Sequence, residues 1–286
     1  MRARAEVHGA ISIINAAATG VGASMAISAK VSVQAEPAEG LEVRFEGVNP
    51  GDTKLVEAAA KVVSEELGWK GGWSLVISSE LPPRRGLKTS SAVSSALVAS
   101  MCSALGFRPG WADVLRMGVR ASRMAGVTVT GALDDAGASV LGGLVVADNE
   151  RGEVLMRREV EPDGLVVVLG IPERELPKSE LMRERFRPLA PASVKARDLV
   201  MEGRYWEAMT LNGLVVAAAL GLDSGPAADA IRAGALGAGI TGMGPAVAAV
   251  APEGLKGEVV RAFEGRGLRT AVYRLENSRG VWNAEV

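Results

Sequence analysis

The sequence contains a single cysteine and a single histidine. Cys102 has no partner for an internal disulfide, and its apolar neighbours favour a buried structural thiol over a nucleophile. His8 lies in a segment with the alternation of a strand, so we expect a strand residue rather than a catalyst. This composition fits the reducing environment of the cytoplasm.

The chain also lacks a charge excess and a long apolar run. Its 286 residues carry 32 basic and 33 acidic side chains, which indicates neither a nucleic-acid surface nor a polybasic membrane patch. No run approaches the ~20 apolar residues of a spanning helix, and the first six residues have no signal core. We therefore expect a cytoplasmic protein with a small-molecule partner, and the sequence does not indicate an oligomeric state.

The order of strand and helix patterns predicts an α+β fold. Two or three strands over residues 6–35, with a turn at Gly20 and Gly22, precede a helix that ends at Gly68. The other predicted elements are strands over 73–79, 143–147, 154–159, 165–170 and 245–250, helices over 90–105 and 109–125, mainly helix over 179–232, and a final helix and strand. Irregular alternation favours α+β layers over a doubly wound sheet.

A domain boundary is expected near residues 160–175, where Pro162, Asp163 and Pro172 interrupt the pattern. We accordingly predict an N-terminal domain over residues 1–160 and a C-terminal domain over residues 161–286.

One loop, residues 80–92, carries most of the candidate chemistry. Gly86 lets the backbone approach a phosphate, and the free N–H groups and dipole of the following helix favour an anion. The basic side chains of the loop are Arg84, Arg85 and Lys88. Its hydroxyls, Thr89, Ser90 and Ser91, can donate hydrogen bonds or bind Mg²⁺, and Ser90 or Ser91 can cap the helix. The spacing differs from a Walker A motif. An ordinary strand-to-helix loop with a serine cap is the alternative.

Two further segments contain candidate site residues. Asp134 and Asp135 are adjacent carboxylates among small residues, where desolvation can raise one pKa and produce a base. The alternative is a turn whose aspartate caps a helix. Residues 237–246 are too rich in glycine for a packed helix and suit a loop beneath a ligand, or else a flexible connector.

In this order, the three segments resemble the motifs of the GHMP kinase superfamily. Residues 82–92 are similar to its proline-x-x-x-glycine-leucine-glycine-serine-serine-alanine phosphate loop, residues 131–143 to its aspartate motif, and residues 241–246 to its C-terminal glycine motif. Within the superfamily the archaeal-type shikimate kinases are the most similar. Lys88 replaces the second loop glycine as it does in that subfamily, and residues 12–23 resemble its opening motif.

The resemblance implies a fold and a reaction. The fold would combine an N-terminal domain like domain 2 of ribosomal protein S5 with a C-terminal ferredoxin-like domain, and ATP would bind between them. The reaction would be Mg²⁺-dependent transfer of the γ-phosphoryl of ATP to the 3-hydroxyl of shikimate, on the route to chorismate and the aromatic amino acids. Another GHMP kinase, such as homoserine kinase, or a non-catalytic sensor of the same fold is the alternative.

The resemblance also implies roles for individual residues. Asp134 would be the base or orienting group, with Asp135 as second choice, and Lys88 would support the catalytic aspartate because residues 9–29 contain no basic side chain. Ser90 or Ser91 would bind Mg²⁺, while Asp113, in an amphipathic helix, is no clear counterpart of the acidic ligand of some members. The expected ATP-binding residues are Asn15, Pro82, Pro83, Arg84, Arg85, Gly86, Leu87, Lys88, Thr89, Ser90, Ser91, Ala92, Gly242 and Gly244. Candidates for the substrate carboxylate are Arg84, Arg85, Lys178, Arg187 and Lys195.

Overall fold

Two β-sheets with helices against them form the fold. The structure is a computed structural model that describes residues 1–47, 52–82, 85–128, 130–173 and 184–284. Pro83, Arg84 and Lys178, which the sequence assigned to the site, lie outside the described residues. None of the helices in these ranges has the length and apolarity that a bilayer crossing requires.

The first sheet is built around one long strand. Its described strands are β1 (Ala3–Ile14), β2 (Val21–Ala38), β3 (Leu41–Glu46), β4 (Gly72–Ser79), β5 (Leu144–Asp148), β6 (Glu153–Arg158) and β11 (Val281–Ala284). They run in the order β11-β1-β2-β4-β3, and the first residues of β2 also pair with β5, which pairs with β6. The beginning of β2 therefore lies between β1 and β5.

Four helices cover one face of this sheet. They are α1 (Lys54–Leu67), α2 (Thr89–Ala104), α3 (Trp111–Met124) and α4 (Leu133–Leu141). Small residues of β1 and β2, such as Ala10 and Ala26, pack against Leu97 of α2 and Ala136 of α4 in one apolar core. Short side chains let the helices lie close to the strands, which brings the first turns of α2 and α4 to the same end of the sheet.

The second sheet is antiparallel. Its strands, β7 (Leu165–Ile171), β8 (Gly237–Ile240), β9 (Val247–Pro252) and β10 (Arg269–Tyr273), run in the order β10-β7-β9-β8. The accompanying helices are α5 (Ala190–Met201), α6 (Tyr205–Leu220), α7 (Gly225–Arg232) and α8 (Lys256–Glu264). Apolar residues on the uncovered face of the first sheet, including Ile13 and Met25, share a core with Leu169 and Val250 of the second. The two sheets are thus joined by buried apolar contact.

The predicted α+β class is confirmed, and most elements lie within a few residues of their predicted bounds. The helix over 54–67 ends at Gly68 with φ +68°, as the C-cap glycine predicts. Two expectations were wrong. The tail after α8 contains two strands rather than one, and the first part of the glycine-rich segment is strand β8.

Close packing explains why β8 is rich in glycine. A Cβ at Gly237 would lie 2.4 Å from the carbonyl oxygen of Trp206, and one at Gly239 would lie 2.9 Å from Cα of Gly213. Both contacts are with the backbone of α6, so these glycines let a helix and a strand touch directly. Only the residues after Ile240 remain as the predicted loop.

Candidate active site

A single cleft brings the predicted segments together. Its walls include Asn15 after β1, residues 86–91 at the start of α2, Asp134 and Asp135 in α4, and Gly242 after β8. These residues come from both sheets, so the site exists only in the assembled fold.

The predicted phosphate loop packs directly on the glycine loop of the second sheet. The backbone N–H of Ala246 donates to the carbonyl of Arg85 at 3.1 Å, and the Thr241 hydroxyl donates to the carbonyl of Gly86 at 3.2 Å. Gly86 has φ +82°, and a Cβ there would lie 2.2 Å from the Thr241 carbonyl oxygen. Gly242 has φ +59°, and its Cβ would lie 2.8 Å from the Gly86 carbonyl oxygen. Both positions therefore require glycine.

Asn15 connects the end of β1 to the same glycine loop. Its side-chain N–H donates to the Gly242 carbonyl at 2.8 Å, and its own backbone N–H donates to Oδ1 of Asn212 at 2.8 Å. Ser12 adds a second connection, because its hydroxyl accepts from the Gly242 N–H at 3.1 Å while its backbone N–H donates to the Thr241 hydroxyl at 3.0 Å. Asn15 thus joins β1, α6 and the glycine loop beside the cleft.

Helix α2 begins at Thr89, and no serine side chain caps it. The residue before the helix, Lys88, has the left-handed φ of +60°, and the structure contains no side-chain cap hydrogen bond there. The predicted capping role of Ser90 or Ser91 was therefore wrong. Both side chains line the cleft instead, beside Lys88 and Thr89.

The other predicted residues of the loop are distributed between the cleft and the core. Pro82 is half-buried and its carbonyl accepts from the Thr89 hydroxyl at 3.2 Å. The side chains of Leu87 and Ala92 are buried in the apolar cores, and Gly244 donates its N–H to the Thr241 carbonyl. Arg187 and Lys195 are exposed and do not line the cleft. Among the described residues, Lys88 is the one with a basic side chain that lines the cleft.

The two aspartates occupy the first turn of α4 and are almost fully buried. Asp134 is 3% exposed and Asp135 is 8% exposed. The Lys88 ammonium lies 2.6 Å from Oδ1 of Asp135, so the phosphate loop supplies a counter-ion to the aspartate motif. Burial, followed by the neighbouring charge of Asp135, raises the pKa of Asp134 to about 7. A carboxyl group that titrates near neutrality is well suited to general-base chemistry.

Asn149, which the sequence reasoning missed, holds the start of α4. Its Oδ1 accepts from the backbone N–H of Leu133 at 2.7 Å and from that of Asp134 at 3.3 Å. Its Nδ2 donates to Oδ1 of Asp134 at 2.8 Å. Asn149 therefore caps the helix from the β5–β6 turn, a task that neither aspartate performs, and orients the Asp134 carboxyl group.

The beginning of β2 provides the remaining neighbours of Asp134. Ser24, also missed from the sequence, is fully buried with its hydroxyl 3.1 Å from Oδ2 of Asp134 and 2.7 Å from Oδ1 of Asp135. A Cβ at Gly22 would lie 2.5 Å from Oδ2 of Asp134. The absence of a side chain at Gly22 thus makes the room that the carboxyl group occupies.

Comparison with known proteins identifies the family. Residues 54–143 match the GHMP kinases N terminal domain. A shikimate kinase from Methanococcoides burtonii is 37% identical over 262 residues, which cover 91% of this chain and 90% of that protein. A shikimate kinase from Thermococcus kodakarensis is 40% identical over 254 residues, which cover 87% of this chain and 92% of that protein. The chain belongs to the archaeal shikimate kinase family of the GHMP kinase superfamily.

Solved structures agree with this family at the level of the fold. Homoserine kinase from Cytophaga hutchinsonii has a TM-score of 0.75 and 19% identity, covering 98% of this chain and 97% of that one. Mevalonate kinase from Methanococcus jannaschii has a TM-score of 0.77 and 15% identity, covering 95% and 98%. The expected GHMP kinase fold is confirmed, and membership of the archaeal shikimate kinase family makes this protein an ATP-dependent small-molecule kinase.

The cleft offers this family member few protein ligands for a metal. The described residues contain no cluster of three or more His, Cys, Asp or Glu side chains placed to hold one. The hydroxyls of the two predicted ligands, Ser90 and Ser91, line the cleft. Such a set fits Mg²⁺, which retains several waters and binds through one or two protein oxygens together with substrate phosphates.

Proposed function

We propose that this protein is a shikimate kinase, which transfers the γ-phosphoryl of ATP to the 3-hydroxyl of shikimate and yields shikimate 3-phosphate and ADP. This places it on the route to chorismate and the aromatic amino acids. The family assignment supports the substrate, and one observation carries the site: the phosphate loop and a buried aspartate pair line the same cleft, joined by the Lys88–Asp135 ion pair. We also propose a cytoplasmic location, where ATP is available.

In the proposed mechanism, residues 86–91 bind the phosphates of ATP. The left-handed backbone at Gly86 and Lys88 turns the chain into α2, whose N-terminal dipole favours the negative charge. The cleft-lining hydroxyls of Ser90 and Ser91 add hydrogen bonds. Mg²⁺, bound through Ser90 or Ser91 and the phosphates, would neutralise charge as it develops on the transferred group.

Asp134 is the proposed acceptor of the substrate proton. As the 3-hydroxyl oxygen forms a bond to the γ-phosphorus with its lone pair, its proton moves to Asp134. The bond between the γ-phosphorus and the bridging oxygen breaks, and ADP leaves with that electron pair. Asp135 remains ion-paired to Lys88 and keeps the second carboxylate compensated.

The lining of the cleft also suits a polyhydroxylated substrate. It contains the side chains of Ser122, Thr128 and Thr130, each able to donate or accept a hydrogen bond. The basic residues named from the sequence as partners of the shikimate carboxylate stay predictions. Of the two in the phosphate loop, Arg84 and Arg85, the structure describes Arg85.

A coupled ADP-release assay across shikimate, homoserine, mevalonate and galactose tests this proposal. We expect turnover with shikimate alone and a fall of at least ~100-fold in kcat for Asp134→Asn. Asp163→Asn serves as the matched control, because Asp163 is an exposed turn residue that does not line the cleft. Turnover with homoserine in place of shikimate would reassign the substrate, and full activity of Asp134→Asn would remove Asp134 from its role.

A further inference from the structure

Ser24 lies between the two carboxyl groups of the site. Its hydroxyl is 3.1 Å from Oδ2 of Asp134 and 2.7 Å from Oδ1 of Asp135, and its side chain is fully buried. A hydroxyl carries one hydrogen, so Ser24 can donate to only one of these oxygens. For the two contacts to be separate two-centre hydrogen bonds, the second hydrogen must come from the carboxyl group itself.

Lys88 and Asn149 determine which carboxyl group accepts the hydrogen of Ser24 and which one donates a hydrogen to it. Asp135 is the closer carboxyl group and is ion-paired to Lys88 at 2.6 Å, which identifies it as the anionic acceptor of the Ser24 hydrogen. Asn149 donates its side-chain N–H to Oδ1 of Asp134, so that oxygen is already an acceptor. The amide orientation of Asn149 is fixed because its Oδ1 accepts two backbone N–H groups. A proton on Asp134 therefore belongs on Oδ2, the oxygen that faces Ser24.

The strand that carries Ser24 is shaped for this contact. Gly22 precedes Ser24 by two residues, so both project to the same face of β2. A Cβ at Gly22 would collide with Oδ2 of Asp134 at 2.5 Å. On this face of β2, Gly22 therefore leaves space for the carboxyl group and Ser24 places a hydroxyl beside it. Oδ2 is thus directed into the position where Ser24 can accept from it.

We propose that Ser24 is a positioning residue that gives its hydrogen to Asp135 and accepts the hydrogen of protonated Asp134, so that it stabilises the carboxylic acid formed when Asp134 takes the substrate proton. The inference rests on the proposed function for its catalytic consequence, but its hydrogen-bond direction is a property of the folded protein alone. The charged groups that face Asp134 are Asp135 and Lys88, and Arg123 donates to the carbonyl of Asn149 behind it. Burial, followed by the charge of Asp135, raises the pKa of Asp134 and so favours its protonated form independently of Ser24.

The direction of the hydrogen bond predicts the sign of a measurable change. Because Ser24 stabilises the acid form of Asp134, Ser24→Ala should lower the apparent pKa of the ascending limb of kcat/KM against pH by about one unit, a tenfold change in the ionisation constant. We expect kcat to fall by about tenfold with an unchanged KM for ATP, and Ser24→Thr to restore both. Ser139→Ala is the matched control, since this buried serine in α4 donates to the backbone carbonyl of Asp135 and not to a carboxyl group.

A second readout does not need turnover. The pH dependence of the free energy of unfolding reports the ionisation of Asp134 in each variant, and the titration of Ser24→Ala should end at a lower pH than that of the wild type. Should Ser24→Ala fail to fold, Ser24→Cys, with a thiol that donates and accepts only weakly, should give a shift of the same sign. An upward shift, as expected if Ser24 donates to ionised Asp134, or no shift in either readout overturns the inference. Lack of shikimate turnover by the wild type would refute the proposed function and leave the unfolding titration as the test of Ser24.

Discussion

Replacing Asp134 with asparagine should remove a large pH dependence from the stability of the protein. Asparagine reproduces the shape and hydrogen bonding of the protonated carboxyl group, because its Oδ1 can accept from Asn149 and its Nδ2 can donate to Ser24. The variant therefore behaves as an Asp134 that never ionises, and the wild type differs from it only through the cost of ionisation.

The magnitude follows from the pKa of Asp134 in the two states. Folding raises that pKa from 3.8 to about 7, roughly three units, and each unit corresponds to about 1.4 kcal/mol. Since the folded pKa is the higher one, the stabilisation by protonated Asp134 is fully present below pH 3.8 and is lost as the pH rises through 7. Between pH 4 and pH 8 the wild type should lose up to about 4 kcal/mol relative to Asp134→Asn, most of it between pH 5 and pH 7.

Urea denaturation followed by circular dichroism, at half-unit steps from pH 4 to pH 8, measures this difference. The quantity to plot is the free energy of unfolding of Asp134→Asn minus that of the wild type, because the contributions of carboxyl groups distant from Asp134 then cancel. Asp163→Asn, at an exposed position, should give a flat plot. A flat plot for Asp134→Asn as well, or one that falls with pH, would refute a raised pKa at Asp134 and with it the argument for that residue as the base.

Two further substitutions test the geometry around the carboxyl pair. Gly22→Ala should lower kcat by ~10-fold or more in a steady-state assay, because the added Cβ would lie 2.5 Å from Oδ2 of Asp134 and displace the carboxyl group. Gly254→Ala is the control: nothing lies within 4 Å of its added Cβ, so its kcat should equal that of the wild type. Equal kcat values for Gly22→Ala and Gly254→Ala would show that the carboxyl group of Asp134 can shift without loss of function. Lys88→Ala and Lys88→Gly both remove the counter-ion of Asp135, so both variants should lose turnover. Only glycine adopts the left-handed φ of +60° without strain, so the free energy of unfolding in urea should be about 1 kcal/mol higher for Lys88→Gly than for Lys88→Ala. The reverse order of stabilities would contradict strain at that residue.

The sequence was informative where a residue's role depends on its immediate neighbours in the chain. Gly68 was predicted to end α1 because a helix C-cap is a local arrangement. The predicted phosphate loop, aspartate pair and glycine loop were found lining one cleft because each is a contiguous segment next to an element whose periodicity is clear. Glycine composition alone misled at residues 237–240, where the glycines serve close packing of a strand on α6 rather than a loop.

The neighbours of Asp134 could not be predicted, because strand register brings them there. Ser24 is 110 residues away in the chain and looks like an ordinary polar residue of an alternating strand. Asn149 reaches the site because Val21 of β2 pairs with Asp148 of β5, after which the Asn149 N–H donates to the Gly20 carbonyl. The only sequence signal at Asn149 was its place between the predicted strands over 143–147 and 154–159. The division into domains at residue 160 stays a prediction, and strand β11 returns from the C-terminal region to pair with β1 in the first sheet.

Lys88 places a positive charge beside the aspartates, which residues 9–29 could not supply because they contain no basic side chain. The loop pattern of the superfamily has glycine at position 88, and the left-handed φ of +60° shows the conformational reason. A lysine in this left-handed conformation has a strain energy of about 1 kcal/mol, and strained residues of this kind are common at functional sites. Its side chain is only 10% exposed, and the ammonium lies 2.6 Å from the carboxylate of Asp135. The same residue therefore sets the turn into α2 and compensates the charge of the aspartate motif, so a displacement of the phosphate loop would also change the electrostatic environment of Asp134.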